Sequence, residues 1–552
     1  MDKRSYNIFF DLHTVSGIVI SVLLYVIFFA GSFSFFRGEI IAWERNEHAG
    51  SNHDFQLDVD AALDTLQKKY DLSTRDISIY QREGEKRLMV SLSAPKDTLL
   101  GKDDAFFYIH PETYQTSEYE TSYTLGEFLY RLHFFAQIPY PVGYYLSGFT
   151  ALFFLFAILT GILVHWKKII SNFYLFRPWE KLKTVWTDAH TALGTIGLPF
   201  QLVYAVTGAF FMINILLVIP GLYVLYDGDQ AKLYNDLGYG SPTYTFENRK
   251  LENQPGINEF IGKTGNTWKS MHATEVSIFN YGDEGMHVRI GGELDHGEKF
   301  TGAGEITYKA STSEIISKKD PYRPTSYLEG VQSTMYHLHF GSYGGYAVKS
   351  ISFMLGLVTC FVIITGVLIW LEARNKKHIP EKQRRFNTKV GHIYLALCLT
   401  MFPVTAASFI VTMLVPHEFD EIRQTILYNF YFGSWLLLSI FFVWRKDNYI
   451  TNKYTLLSGA VMGMLVPVTN GIITGNWFWI SFARHQFDVF VVDFLWIFIS
   501  AIAFYAVFKL KRPRDPEEHQ HSLTLPEHVW HRTNGTKKPV VPEFYVTNNG
   551  KE

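Results

Sequence analysis

Apolar runs long enough to cross a bilayer alternate with ordinary polar stretches along this chain. A helix needs roughly 20 mainly apolar residues to span the hydrocarbon core. Such runs lie near 14–36, 142–165, 191–213, 347–371, 392–414, 428–444, 455–473 and 489–508. The runs at 428–444 and 455–473 are the weakest, and losing both would leave the C-terminus on the same side. Two long segments between runs, about 37–140 and 214–346, carry a different pattern. The first predicts a helix from Val59 to Tyr70, then strands at Asp76–Tyr80, Arg87–Leu92 and Ala105–His110; the second predicts strands at Glu275–Phe279, Met286–Ile290 and Gly304–Lys309. The expected fold is therefore a polytopic α-helical membrane protein of about eight transmembrane helices with two external α+β modules.

Lysine and arginine set the orientation. Connection 166–190 holds Lys167, Lys168, Arg177, Lys181 and Lys183, and connection 372–391 holds Arg374, Lys376, Lys377, Lys382, Arg384, Arg385 and Lys389. Connections 415–427 and 474–488 hold only Arg423 and Arg484. Both termini and the basic loops are expected in the cytoplasm and the two modules outside. The chain divides accordingly into a first transmembrane helix (1–36), an external module (37–140), two helices with a cytoplasmic loop (141–213), a second external module (214–346), a fourth helix (347–371), a four-helix membrane extension (372–510) and a cytoplasmic tail (511–552). The tail, with His519, His521, His528 and His531, reads as unstructured, weak metal binding being the alternative. The first apolar run lacks a small-residue cleavage site and reads as a retained anchor.

Composition changes this picture little. A net charge of -2 gives no hint of nucleic-acid binding. The two cysteines, Cys360 and Cys398, sit in apolar runs and can form neither a disulfide framework nor a thiolate cluster, so any redox chemistry needs another centre.

The chain also repeats itself. The first run opens Asp11-Leu12-His13-Thr14-Val15-Ser16-Gly17 and the third Asp188-Ala189-His190-Thr191-Ala192-Leu193-Gly194; Gly31 and Gly208 each follow the histidine by eighteen residues. Tyr130-Arg131-Leu132-His133-Phe134 precedes the second run, and Tyr336-His337-Leu338-His339-Phe340 the fourth. The far ends match as well, Leu159-Thr160-Gly161-Ile162-Leu163 against Ile364-Thr365-Gly366-Val367-Leu368. A helix–module–helix unit used twice in parallel implies a pseudo-twofold axis along the membrane normal. His13 and His190 then oppose each other at the cytoplasmic face, and His133 and His339 at the external face.

Two opposed imidazoles at each face are what a bis-histidine b-type haem requires, giving two haems per chain. A ligating imidazole needs a partner on its other ring nitrogen. Asp11 and Asp188 are candidates, helix capping being their other role. Offsets of four and eighteen return to nearly the same helix face, so His13, Gly17 and Gly31 share a stripe with room for a flat macrocycle, as do His190, Gly194 and Gly208. Close helix packing is the other use of such glycines. Arg131 and His337 place a cation before each external histidine, suited to propionates or lipid phosphates. His165 ends the second run; it belongs either to an interfacial belt or to the ligand set in place of His13 or His190. His392 opens the fifth run without the glycine spacing and reads as structural. His417 and His485 lie on external loops.

Together, the Leu-His-Thr opening, the Leu-His-Phe motifs, the Thr-Gly pairs and the external modules make residues 1–375 resemble the PepSY-associated transmembrane proteins, a bacterial family that includes inner-membrane siderophore-iron reductases. The resemblance implies PepSY-like modules in the periplasm, haem b between four helices, and electron delivery from a cytoplasmic-side donor to an external ferric chelate or siderophore. Residues 380–552 depart from four-span members and carry no G-x-G-x-x-G fingerprint, so the donor is expected to be separate, a quinol or a reductase. Two other functions fit parts of the pattern: a PepSY-type sensor or binding protein with structural histidines, and a transporter for the chelate. A transporter calls for ionisable residues in mid-membrane, and the last four runs offer almost none.

Overall fold

In the computed structural model, residues 2–49, 55, 57–97, 102–174, 176–177, 179–180, 182–238, 240 and 242–512 are described. The tail histidines 519, 521, 528 and 531 lie outside them. The first repeat comprises α1 (Lys3–Ser34), α2 (Arg37–Arg45), α3 (Val59–Leu66), strands β1 (Ile77–Tyr80), β2 (Leu88–Leu92), β3 (Ala105–Ile109) and β4 (Thr116–Glu118), then α4 (Leu125–His133) and α5 (Val142–His165). After a short α6 (Ile169–Tyr174), the second repeat runs through α7 (Leu182–Ile196), α8 (Leu198–Leu225), α9 (Gln230–Asp236), α10 (Ile257–Thr267), β5 (Met271–Phe279), β6 (His287–Leu294), β7 (Ala303–Lys309), β8 (Ile315–Lys319), α11 (Tyr327–Phe340) and α12 (Gly345–Ala373). The extension follows as α13 (Glu381–Leu399), α14 (Met401–Leu414), α15 (Arg423–Arg445), α16 (Asn448–Thr474), α17 (Phe478–Ala483) and α18 (Phe487–Lys509).

Among the described residues, seven helical stretches are long and apolar enough to span a membrane, and a bent pair, Lys183–Ile196 with Leu198–Asn214, makes an eighth. The 69° bend in that pair falls at Gly197-Leu198-Pro199. Proline there lacks the N–H that would continue the ladder, which is the common cause of a sharp kink. In the first repeat the equivalent helix, α1, has no such interruption.

The two modules are not separate bodies, as the sequence pattern implied, but halves of one antiparallel sheet in the order β4-β3-β2-β1-β5-β6-β7-β8. The join is β1 against β5, with Ile77 opposite Ile278 and Ile79 opposite Val276. Each first strand thus uses the other's edge, and neither edge is left open to stray pairing. Alternate residues of the central strands (Ile77, Ile79, Val90, Val276, Ile278, Val288, Ile290) point to one buried face, where α3 and α10 pack side by side with Leu63, Leu66, Ile257 and Phe260. Here the hydrophobic effect holds the structure, at roughly 25 cal/mol per Å² of apolar surface removed from water.

Between lipid-embedded helices that driving force is missing, and close packing replaces it. α1 packs against α5 and α12, α8 against α5, and α7 against α12. A Cβ on Gly148 would stand 2.4 Å from Ile213, and one on Gly356 2.3 Å from Ser32 Oγ, so these helices approach at backbone distance. The extension docks on the first repeat through α2, and the contacts are polar as well as aromatic. Arg423 meets Glu44 at 2.7 Å and Trp43 Nε1 donates to Asp493 at 2.7 Å, while Lys349 of α12 holds Glu39 of α2 at 2.8 Å. Phe33, Phe353, Phe409 and Trp496 close the same seam. Breaking one partner of such a buried pair typically costs about 3–5 kcal/mol, so α2 pins the extension to the repeat core.

Candidate functional site

α4 and α11 each start from a side-chain N-cap: Thr124 accepts from Glu127 N, and Ser326 from Glu329 N. These caps fix where each short helix begins, and α4 ends on His133 while α11 carries His339 in its last turn. α1 carries His13 in its opening half, and α7 carries His190 just past its midpoint. The four histidines meet in two pairs. The rings of His13 and His190 lie 6.1 Å apart between centroids at 71°, and those of His133 and His339 5.9 Å apart at 44°. A metal bonded to one nitrogen of each ring at roughly 2 Å, with about 1 Å more to each ring centre, holds trans rings about 6 Å apart.

The outer ring nitrogens decide which atom is free. His13 Nδ1 lies 2.8 Å from the Ala157 carbonyl, and His190 Nδ1 2.9 Å from the Val362 carbonyl. His133 Nδ1 lies 2.7 Å from the Ile27 carbonyl. His339 Nδ1 lies 2.8 Å from Thr207 Oγ1, which itself donates to the Val203 carbonyl and so accepts from the ring. A carbonyl can only accept, so each Nδ1 carries the proton and each Nε2 keeps its lone pair. Metal-ligating histidines commonly donate their other ring N–H to a fixed acceptor in this way. Asp11 and Asp188, the expected partners, do other things: Asp11 is exposed, and buried Asp188 pairs with Arg177 at 2.9 Å. The carbonyls that replace them belong to neighbouring helices, which no sequence spacing reveals.

The repeated Thr-Gly pairs lie beside two of them. Ala157 and Val362 stand four residues before Gly161 and Gly366, the glycines of the repeated Thr-Gly pairs. A Cβ on either would come 3.1 Å from the Cε1 of His13 or His190. The glycines let the rings pass, and Thr160 and Thr365 donate to the same carbonyls at 3.0 and 2.8 Å. Gly17 has nothing within 4 Å of a Cβ, and Gly194 only Val362 at 3.9 Å, so both of these positions border open space. Gly31 differs from the expected open stripe: its Cβ would sit 2.5 Å from His133 Nδ1, so it makes way for the ligand's ring.

Beside the outer pair opens a cavity of about 320 Å³, walled by Phe28, Phe154, Phe200, Tyr204, Phe211 and Met212 and including Gly31 and Gly208. Tyr130 and Tyr336, repeat equivalents, line it, whereas Arg131 and His337 turn away. Arg131 binds Tyr119 Oη at 2.9 Å, and His337 bonds Ser342 at 3.0 Å and faces His296. Burial, with His296 beside it, pushes His337 down to about 4. His165 ends α5, half-buried and within electrostatic reach of His190, but the ring opposite His190 is that of His13. His392 lies 2.6 Å from the side-chain oxygen of Asn448. The inner and outer pairs are spaced along α1 by the fourteen residues from His13 to Ile27, about 21 Å of helix.

A polytopic helical membrane protein with an antiparallel sheet domain at one end and two opposed histidine pairs in a duplicated four-helix core is thus the class this fold defines. The chain belongs to the PepSY-associated TM region family, whose model matches residues 10–373. It is also similar to Uncharacterized protein PA4219 of Pseudomonas aeruginosa, 22% identical over 305 residues that cover 53% of this chain and 73% of that one. The family match stops where α12 ends, so α13–α18 are additional to it.

Proposed function

We propose that this chain is a haem-dependent transmembrane electron conduit of the bacterial inner membrane that reduces ferric chelates, siderophores among them, outside the cell. Haem b, if held between paired imidazoles, would supply a one-electron couple. His13 and His190 would hold one haem, and His133 and His339 the other. The single observation that carries this reading is the matched state of all four imidazoles, each with Nδ1–H donated to a fixed acceptor and its ring about 6 Å from a partner.

The chain's own residues do the rest. Ala157, Val362, Ile27 and Thr207 hold the rings in one tautomer and orientation. The aromatic wall of the outer cavity excludes water, which keeps the environment apolar. Lysines and arginines concentrated at the α5–α7 and α12–α13 connections support placing that end in the cytoplasm and the sheet in the periplasm. A quinol or separate reductase on the cytoplasmic side would supply one electron per ferric ion.

Proteoliposomes test the reading. Protein with its sheet outward is reconstituted around trapped dithionite, a ferric hydroxamate is added outside, and a ferrous-specific chromogenic chelator reports the product. Colour should develop with wild-type protein and fall to the protein-free rate with His133→Ala or His13→Ala. A purified chain with no haem in a pyridine haemochrome assay, after expression with ample haem, sinks the proposal.

A further inference from the structure

His337 lies two residues before His339 on α11, and two residues turn an α-helix by about 200°. His339 therefore looks into the outer cavity, and His337 looks away from it toward the second half of the sheet. There it meets Glu293, at the end of β6, and His296 in the turn that follows. One ligand atom from each of Glu293, His296 and His337 lies within 4.8 Å of the other two. The His296 and His337 rings stand 4.3 Å apart at 68°.

Three further observations make this a built group. Ser342 Oγ lies 3.0 Å from His337 Nδ1, fixing the ring and leaving Nε2 for the cluster. His296 Nδ1 is buried with no hydrogen-bond partner, an uncommon state for a polar atom. His337 is itself buried, and Phe300 packs 5.2 Å from its ring, while Glu293 is exposed and gives the group an opening to solvent.

We infer that Glu293, His296 and His337 form a binding site for a divalent first-row transition-metal ion. Two imidazoles and one carboxylate leave coordination positions for water, the donor set of open Fe(II) and Zn(II) sites and not of closed structural ones. Its place across α11 from His339 makes ferrous iron, released as chelates are reduced at the outer pair, the functional occupant. That assignment of the occupant rests on the proposed reductase activity; the site does not.

Cobalt(II) is the probe, because elemental analysis separates it from haem iron. Full-length protein in detergent is dialysed against Co²⁺, and bound cobalt is measured beside haem content. Glu293→Gln and His296→Ala are the variants, since both lie off α11 and leave that helix intact. Wild type should hold one equivalent more cobalt than either variant, with at least tenfold weaker binding at that site in the variants, and haem spectra should be the same in all three. Equal cobalt in wild type and both variants overturns the metal site while leaving the haem reading untouched. Cobalt binding that depends on these residues in a haem-free chain supports the site and removes the reductase reading with its ferrous occupant. Under anaerobic conditions excess Fe²⁺ should displace the cobalt; retention of it would overturn ferrous iron as the occupant.

Discussion

The two copies of the helix–module–helix unit agree at one end of the membrane core and disagree at the other. At the inner pair the copies are interchangeable: His13 and His190 donate to carbonyls at equivalent places, and equivalent glycines let the rings pass. At the outer pair, His133 uses the backbone of Ile27 across Gly31, whereas His339 uses the Thr207 hydroxyl on a helix that the Gly197–Pro199 bend has re-aimed. A backbone carbonyl cannot be substituted away; a hydroxyl can. The inner pair is thus built on features both halves retain, and the outer one has a substitutable acceptor on the His339 side alone. The two pairs also differ in ring geometry, 71° against 44°.

Loss of a ligand tests the pairing most strongly. His13→Ala and His190→Ala should each remove or convert to high spin the same haem, and His133→Ala and His339→Ala the other, taking haem content from two per chain to one. Spectra in which His165→Ala abolishes a haem while His190→Ala keeps both would break the symmetric assignment.

The glycines give the next largest effect and separate the copies directly. Gly31→Ala should displace the His133 ring and cost the outer centre its low-spin spectrum, since overpacking of this kind typically costs about 1–3 kcal/mol. Gly208→Ala, whose Cβ would meet only Ala151 at 3.4 Å, should leave both centres intact. Equal loss in the two variants would mean that both glycines face the macrocycle and that the asymmetry is false.

At the inner pair the expectation is equality. Gly161→Ala and Gly366→Ala, each 3.1 Å from a histidine carbon, should broaden or shift the inner haem's spectrum to the same modest degree. A clear difference between them, read by low-temperature spectroscopy, would end the claim that the inner halves are equivalent.

The smallest effect is electronic. Thr207→Val keeps shape but removes the acceptor from His339 Nδ1–H, lowering the imidazole's basicity and so favouring the ferrous state. The outer potential should rise by on the order of 50 mV, near a tenfold change for a one-electron couple. A redox titration in which the inner potential moves instead would contradict the placement of His339.

Much of this arrangement was legible in the chain. Eight apolar runs give seven spanning stretches and the bent eighth, and the strands at Asp76–Tyr80, Arg87–Leu92 and Ala105–His110 coincide with β1, β2 and β3 within a residue or two. β4 and β8 went unread because short edge strands such as Thr116–Glu118 bury too little to show alternation. The shared sheet also escaped notice, because β1 and β5 stand nearly two hundred residues apart and their pairing has no local signature.

By itself the sequence determined the spans, the duplication and which histidines are equivalent, because bilayer thickness and helical period act on local residues and a repeat is visible as text. Only tertiary structure decided what those histidines touch. Nδ1 acceptors at Ala157, Val362 and Ile27 are backbone atoms, identical in every residue, and they become specific only when another helix brings them within hydrogen-bond reach. The same holds for His337: its neighbours in sequence suggested a charged contact at the membrane surface, and a turn of about 200° on α11 placed it beside Glu293 and His296.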